Sequence, residues 1–168
     1  MIIATTERLA LREAVDEDAA FFLELLNSEG FIANIGDRGV RSEAEAMAYI
    51  AERVHGSYHA YGFGMWVVEP LEGGAAMGLA GLVKRDGLDV PDVGYAFLPR
   101  AWGQGFAKEA AAGVLTFART ALGIPRLAAI TTPGNDTSMA VLRKIGFVYQ
   151  GTTQLPGHIG ESTYFTIG

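Results

Sequence analysis

Arg100-Ala101-Trp102-Gly103-Gln104-Gly105-Phe106-Ala107 separates a strand-like run, Val90 to Leu98, from the strongest helical pattern in the chain, Gly105 to Leu122. The helix reading rests on one apolar stripe, in which Phe106, Ala110, Gly113, Val114, Phe117 and Ala121 recur at helical spacing. Gly123 stops the pattern, and Pro125 sets it apart from the next apolar run, Leu127 to Thr132. A strand, a helix and a second strand in that order predict a parallel crossover. Two glycines at the strand-to-helix turn permit tight turning and close approach of a ligand to the main chain. The helix start adds unpaired amides and the positive end of the dipole, a combination suited to phosphate. Lys108 falls in the first turn, and Arg100 precedes the loop.

Three phosphate-binding patterns compete for this stretch. The P-loop, G-x-x-x-x-G-K-S/T, occurs nowhere in the chain. The dinucleotide fingerprint, G-x-G-x-x-G, fails because Lys108 stands where the third glycine belongs, and no strand-end ribose carboxylate follows. The acyl-CoA pyrophosphate pattern, Q/R-x-x-G-x-G/A, is satisfied by Arg100, Gly103 and Gly105. A glycine-rich turn without a ligand is the alternative.

Outward from this unit, Ile2 to Glu13 reads as a first strand. Asp16 is a candidate cap for a helix carrying Phe22, Leu25 and Leu26. Gly30 to Gly39 reads as a loop. Ser42-Glu43-Ala44-Glu45 fits a capping box and opens a second helix with Met47, Ile50, Ala51 and Val54. Phe63 to Glu69 and Ala76 to Lys84 read as a hairpin about Pro70 to Gly74. After Leu127 to Thr132 come a short helix, Asp136 to Lys144, and two final strands, Phe147 to Gln150 and Thr163 to Ile167, around a Pro156-Gly157 turn. Three consecutive strands suit an antiparallel meander. The expected fold is α/β of the mixed α+β kind, a mixed, mostly antiparallel sheet with helices on both faces.

The composition bounds the function. The 168 residues suit one domain, and without repeats or linkers a single domain over 1–168 is expected. Hydrophobic residues at 49% and a mean hydropathy of +0.20 are too apolar for disorder. No uncharged run reaches the ~20 residues of a membrane helix. Glu7, Arg8 and Arg12 leave no apolar signal region at the start, so a cytoplasmic location and no membrane partner are expected. The absence of cysteine excludes disulfides, thiolate metal sites and a cysteine nucleophile. A net charge of −6 argues against nucleic-acid binding. Of the three histidines, His55 and His59 follow the second helix and His158 lies in the last hairpin. Their spacing predicts no metal site.

From Gly62 to Phe147 the chain resembles the GNAT family of N-acetyltransferases, and within it the subgroup that includes the ribosomal-protein-alanine N-acetyltransferases. The matching segments are Gly81-Leu82-Val83-Lys84-Arg85, Asp92-Val93-Gly94-Tyr95-Ala96-Phe97-Leu98-Pro99, the glycine loop, Lys108-Glu109-Ala110, Asn135-Asp136-Thr137-Ser138 and Lys144-Ile145-Gly146-Phe147. Thr6-Glu7-Arg8-Leu9-Ala10-Leu11-Arg12 resembles the subgroup's opening. The resemblance implies a single-domain acyl-CoA N-acyltransferase fold with a splayed sheet. It also implies acetyl-CoA as the acyl donor, an amine acceptor such as a peptide N-terminus or a small amine, no metal, and a monomer or homodimer. A catalytically silent acyl-CoA-binding or regulatory module on the same fold is the alternative.

Acetyl transfer from a thioester to an amine requires a held cofactor, a neutral amine, a stabilised oxyanion and a protonated thiolate. By the resemblance, Arg100, Trp102, Gly103, Gln104, Gly105, Phe106 and Ala107 form the pyrophosphate site, largely through main-chain amides. Tyr95, Ala96, Phe97 and Leu98 pair with pantetheine through their backbone, and a free Phe97 amide polarises the thioester carbonyl. Tyr95 and Phe97 are also ordinary core residues at period two. Asn135 bonds pantetheine or, alternatively, caps the helix with Asp136. Many relatives carry a tyrosine four residues before the motif glycine as the acid for the thiolate. Leu142 stands there, which shifts that role to Ser138 or water. Asp92 is the candidate general base, or else a solvated residue after Pro91. Asp37 and Arg38, in the variable Gly30 to Arg41 region, read the acceptor or form a structural ion pair.

Overall fold

The run expected as one N-terminal strand folds as a hairpin. In the computed structural model, which describes residues 1–168, β1 (Ile2–Thr5) and β2 (Leu9–Arg12) pair antiparallel about a turn at 6–8. Thr6 N donates to Leu9 O at 2.8 Å. The Glu109 carboxylate holds the turn from outside, accepting from Thr6 Oγ1 at 2.5 Å and from Arg8 N at 2.8 Å. That contact joins residues about a hundred positions apart, so no local pattern announces it.

The first helix, α1 (Ala19–Leu26), follows a 3-10 turn over Asp16–Asp18. Asp18, not Asp16, satisfies the entry: its carboxylate accepts from Val15 N at 2.8 Å and is ion-paired with Arg12 at 2.8 Å. A further short helix, α2 (Glu29–Asn34), occupies part of the expected Gly30 to Gly39 loop. Ser42 caps α3 (Glu43–Tyr49), its Oγ accepting from Glu45 N at 3.1 Å. The chain continues through a π-helical stretch, Ile50–His55, into α4 (Gly56–Tyr61). His55 and His59 therefore lie inside the helical segment, and His55 Nε2 donates to Ala14 O at 2.6 Å.

The remaining elements are β3 (Met65–Pro70), β4 (Gly78–Val83), β5 (Asp92–Phe97), α5 (Phe106–Thr120), β6 (Leu127–Thr131), α6 (Asp136–Lys144), β7 (Val148–Thr153) and β8 (Ser162–Ile167). One eight-stranded sheet runs β1-β2-β3-β4-β5-β6-β8-β7. Every pairing is antiparallel except β5 with β6, the parallel crossover expected from the strand-helix-strand unit. β7 runs past Gln150 to Thr153, with a register shift between Tyr149 and Gly151.

The sheet is closed on one side of β5 and open on the other. β4 matches β5 along its length, from Val83 opposite Asp92 to Gly78 opposite Phe97. β6 meets β5 only at Asp92 opposite Ala128, with Ala128 N donating to Pro91 O at 3.0 Å. Beyond that point the two strands diverge.

Apolar side chains cover both faces. Ala110, Val114 and Ala118 of α5 pack with Leu142 of α6 on Trp66, Leu82 and Val93. On the other face, Phe22 and Leu25 of α1 and Ala46 of α3 pack on Val67 and Leu79. Leu88 and Leu155, from two loops, cover Ala128 of β6 in a third, small cluster. No helix is long and apolar enough to cross a membrane.

Candidate active site

The mouth of the splay is built by the stretches that leave β5 and β6. After β5, a 3-10 turn at Pro99–Ala101 leads into Gly103 and Gly105, whose φ values of 76° and 81° lie in the left-handed region. Only glycine adopts that region without strain. α5 then begins with no side-chain cap, and its first intrahelical bond is Glu109 N to Gly105 O at 3.1 Å. The amides of residues 103 to 108 donate to no protein acceptor, so six consecutive N–H groups stand free at an exposed helix start.

The loop is braced by its flanks. Trp102 Nε1 donates to Phe97 O at 2.8 Å, and the indole lies so close to α2 that a Cβ on Gly30 would sit 2.9 Å from the ring. Arg100 does not aim at the free amides: it pairs with Glu24 at 3.0 Å and donates to Ala76 O at 3.3 Å. Arg8 reaches the loop from the β1–β2 turn. Its Nε bonds Glu109 at 2.7 Å, its guanidinium lies 4.5 Å from the Phe106 ring centroid, and its NH2 group reaches toward Gly105. Thr132 Oγ1, just past β6, donates to Asn34 O at 2.8 Å. α2 thus spans the mouth from Trp102 to Thr132.

Strand alternation sorts residues 95 to 98. Leu98 N donates to Met77 O at 2.9 Å, which makes Gly78 opposite Phe97 a non-hydrogen-bonded pair. The main-chain groups of Phe97, and by the two-residue period those of Tyr95, therefore point away from β4 into the gap. Ala96 and Leu98 direct theirs to β4. The Phe97 amide has no partner, while its carbonyl is taken by Trp102.

Across the gap, Asn135 caps α6, its Oδ1 accepting from Ser138 N at 3.3 Å. Ser138 Oγ lies 2.7 Å from the Tyr95 hydroxyl, which also reaches Ser138 O at 3.2 Å. Burial pushes the Tyr95 phenol up, and the Ser138 bond offsets part of that shift.

Asp92 lies elsewhere. It is 1% exposed, at the closed end of the splay, with Arg85 Nε at 3.0 and 3.1 Å from its two oxygens. Burial pushes its carboxyl up, and the Arg85 charge and hydrogen bond pull it back. It shares a face of β5 with Ala96, which packs toward α1 and α3, whereas Tyr95 packs toward α5 and α6. Asp92 and Ser138 thus lie on opposite sides of β5. Asp37 forms an ion pair with Arg41 at 2.5 Å, and Arg38 stacks over Phe31 at 5.9 Å. Among titratable side chains, no group of three or more could hold a metal.

The acetyltransferase (GNAT) domain family matches residues 8–148. The chain belongs to the GNAT family. It is an acetyltransferase by that membership, with the splayed sheet and glycine loop the family resemblance implies. The Bacillus subtilis protein YkkB is 30% identical over 151 residues, covering 88% of this chain and 86% of that one. An acetyltransferase from Agrobacterium tumefaciens superposes with a TM-score of 0.81 at 22% identity, covering 98% of this chain and 92% of that one. RimL, a ribosomal L7/L12 α-N-protein acetyltransferase solved in complex with coenzyme A, superposes with a TM-score of 0.80 at 19% identity, covering 99% of this chain and 97% of that one.

The Tyr95–Ser138 contact, the place of Arg8 beside the loop and α2 across the mouth are features that the sequence does not announce. The only signal for Arg8 was the family-like Thr6 to Arg12 opening. The other two leave no local trace.

Proposed function

We propose that this GNAT chain moves an acetyl group from acetyl-CoA directly to a primary amine in a ternary complex. The α-amine of a peptide or protein N-terminus is the favoured acceptor, within a wider class that includes small-molecule amines. The observation that carries the reading is the run of six free amides at the start of α5. Such a helix start suits a diphosphate, and Arg8 adds positive charge beside it. The main-chain groups of Tyr95 and the free amide of Phe97 suit the amide-bearing pantetheine arm, and the Nδ2 group of Asn135, left free by the cap, faces the same task. Acetyl-CoA, when bound, supplies an activated acyl carbon and a thiolate leaving group.

The chain's own residues have separate tasks in this reading. The Phe97 N–H donates to the thioester oxygen. The Ser138 hydroxyl donates to the departing sulfur. Trp102 and α2 screen the mouth from water. Asp92, the sequence candidate for the base, is ion-paired with Arg85 on the side of β5 away from Ser138, so it does not stand ready as a free base for the acceptor. The acceptor must then bring its own neutral nitrogen. A peptide α-amine, with a pKa near ~7.7–8.0, is partly neutral at physiological pH, while a Lys amine near ~10.4 is almost wholly charged. The α-N-protein activity in RimL's name supports the same choice.

Thiol release from acetyl-CoA tests the reading with two matched peptides, one with a free small N-terminal residue and one Nα-blocked but carrying Lys. The expected result is a higher kcat/KM for the free N-terminus. A preference for the blocked Lys peptide would overturn the acceptor assignment and require a general base for the acceptor. Acetyl-CoA binding with no thiol release on any amine would leave a silent acyl-CoA module.

A further inference from the structure

The position at which many relatives place a tyrosine carries Leu142, and that side chain is buried in the core. A phenol nevertheless reaches the site from the sheet. Tyr95 projects from β5 so that its oxygen lies 2.7 Å from Ser138 Oγ and 3.2 Å from Ser138 O. Its main chain faces the gap, while its side chain crosses it to α6.

A serine hydroxyl has one hydrogen and two acceptor sites. A carbonyl only accepts, so the contact has two arrangements. In one, Tyr95 donates to Ser138 O and the Ser138 hydrogen turns back onto the phenol, leaving nothing to offer a third group. In the other, Tyr95 donates to Ser138 Oγ over the shorter distance, and the Ser138 hydrogen is free. An anionic sulfur as third partner selects the second, because a hydrogen bond to an ion is about twice as strong as a neutral one. Donation by Tyr95 also polarises the Ser138 O–H bond.

We propose that Tyr95 is a positioning residue for Ser138: it donates to Ser138 Oγ and so commits the Ser138 hydrogen to the departing sulfur. The inference rests on the reading of Ser138 above and deepens it. Asn135 pins the serine's backbone through Oδ1, and Tyr95 pins its hydroxyl. The raised pKa of the buried phenol keeps it a donor throughout the neutral range. In this chain the phenol comes from the strand instead of the helix, which leaves Leu142 free to complete the core.

The test is Tyr95→Phe, which removes one oxygen and keeps the ring. Single-turnover rates read the chemical step. The rate should fall roughly tenfold, the size of one well-placed hydrogen bond, while KM for acetyl-CoA stays within about twofold. Ser138→Ala should fall at least as far, and the double variant should be no slower than Ser138→Ala alone, because Tyr95 acts only through the serine. A wild-type rate in folded Tyr95→Phe, with or without a lower Tm, would reduce the contact to a tie between β5 and α6 and overturn the proposal. So would two losses that multiply. If Tyr95→Phe does not fold, 3-fluorotyrosine at position 95 keeps the oxygen and makes it a better donor. Its rate should match or exceed wild type, and a slower rate would overturn the proposal. Ser138→Ala at the wild-type rate is a different failure, since it removes the serine itself from the reaction.

Discussion

Two helices begin at the mouth of the splay, and they begin in opposite ways. α6 starts on Asn135, whose side chain accepts from Ser138 N, so that helix entry is satisfied from within the chain. α5 starts on a left-handed Gly105 that offers no side chain, and its amides, with those of Gly103 and Gln104, are left free. Helix-start N–H groups need partners from the protein, water or a ligand. Across the gap, then, α6 presents side chains on a settled backbone, while α5 presents the backbone itself. Their roles divide accordingly: α5 is suited to hold an anion, and α6 to aim a hydroxyl.

Changing the open helix start should have the greater consequence. Gly103→Val or Gly105→Val forces a β-branched residue into a left-handed conformation that costs ordinary residues ~1–2 kcal/mol. The loop relieves that strain by moving, which disperses the row of amides. Coenzyme A affinity, measured by calorimetry, should fall by roughly tenfold or more, while circular dichroism still reports a folded chain. Wild-type affinity in a folded variant would erase the contrast between the two helix starts.

At the capped start the response should be mainly in stability. Asn135→Ala should cost about 1 kcal/mol, and for a chain of this size lower Tm by roughly 2–4 °C. Asn135→Asp keeps an N-cap acceptor and should restore most of that loss. An unchanged Tm in Asn135→Ala would mean that the cap contributes nothing and that Asn135 serves the ligand alone.

The smallest change concerns a carboxylate in the first turn of α5 that does not face the amides. Burial pushes Glu109 up, but hydrogen bonds from Thr6 and Arg8 outweigh it and hold the carboxyl below its ordinary value. A carboxylate held low contributes stability above its unfolded pKa and loses it as pH falls through the folded value. Glu109→Gln should therefore lower Tm at neutral pH, and the difference should close in the acid range below the ordinary Glu value. Its effect on coenzyme A affinity should be well below that of the glycine variants. A Tm difference that does not change with pH would show that the neutral amide replaces the charge fully.

Much of the scaffold was legible because its signals are local. The stripe from Phe106 to Ala121, the Gly123 stop and the Ser42 cap each lie within a turn or two of the structure they specify. The glycine loop was legible for the same reason, since positive φ and free amides are properties of a few adjacent residues. α2 is not legible in the sequence because it is short, carries Gly30 within it and has Gly36 just beyond it, and its contacts to Trp102 and Thr132 come from remote parts of the chain. The split of the N-terminal strand was missed because Glu109, remote in sequence, closes its turn. The resemblance selected Tyr95 to Leu98 as a block, but the register against β4 decides that only alternate residues face the gap.

The sequence by itself determined where strands, helices and the glycine turn fall, and from the turn the chemistry that its amides suit. Those properties follow from periodicity, caps and backbone freedom, which act over a few neighbouring residues. Only the tertiary structure decided which groups remain without partners and which find them. Arg85 takes Asp92 across the β4–β5 turn, while Glu24 takes Arg100 and Tyr95 meets Ser138 across distances in the chain that no local rule spans. The splay itself belongs to this second kind, because β5 and β6 part only after strand pairing on either side has set their directions.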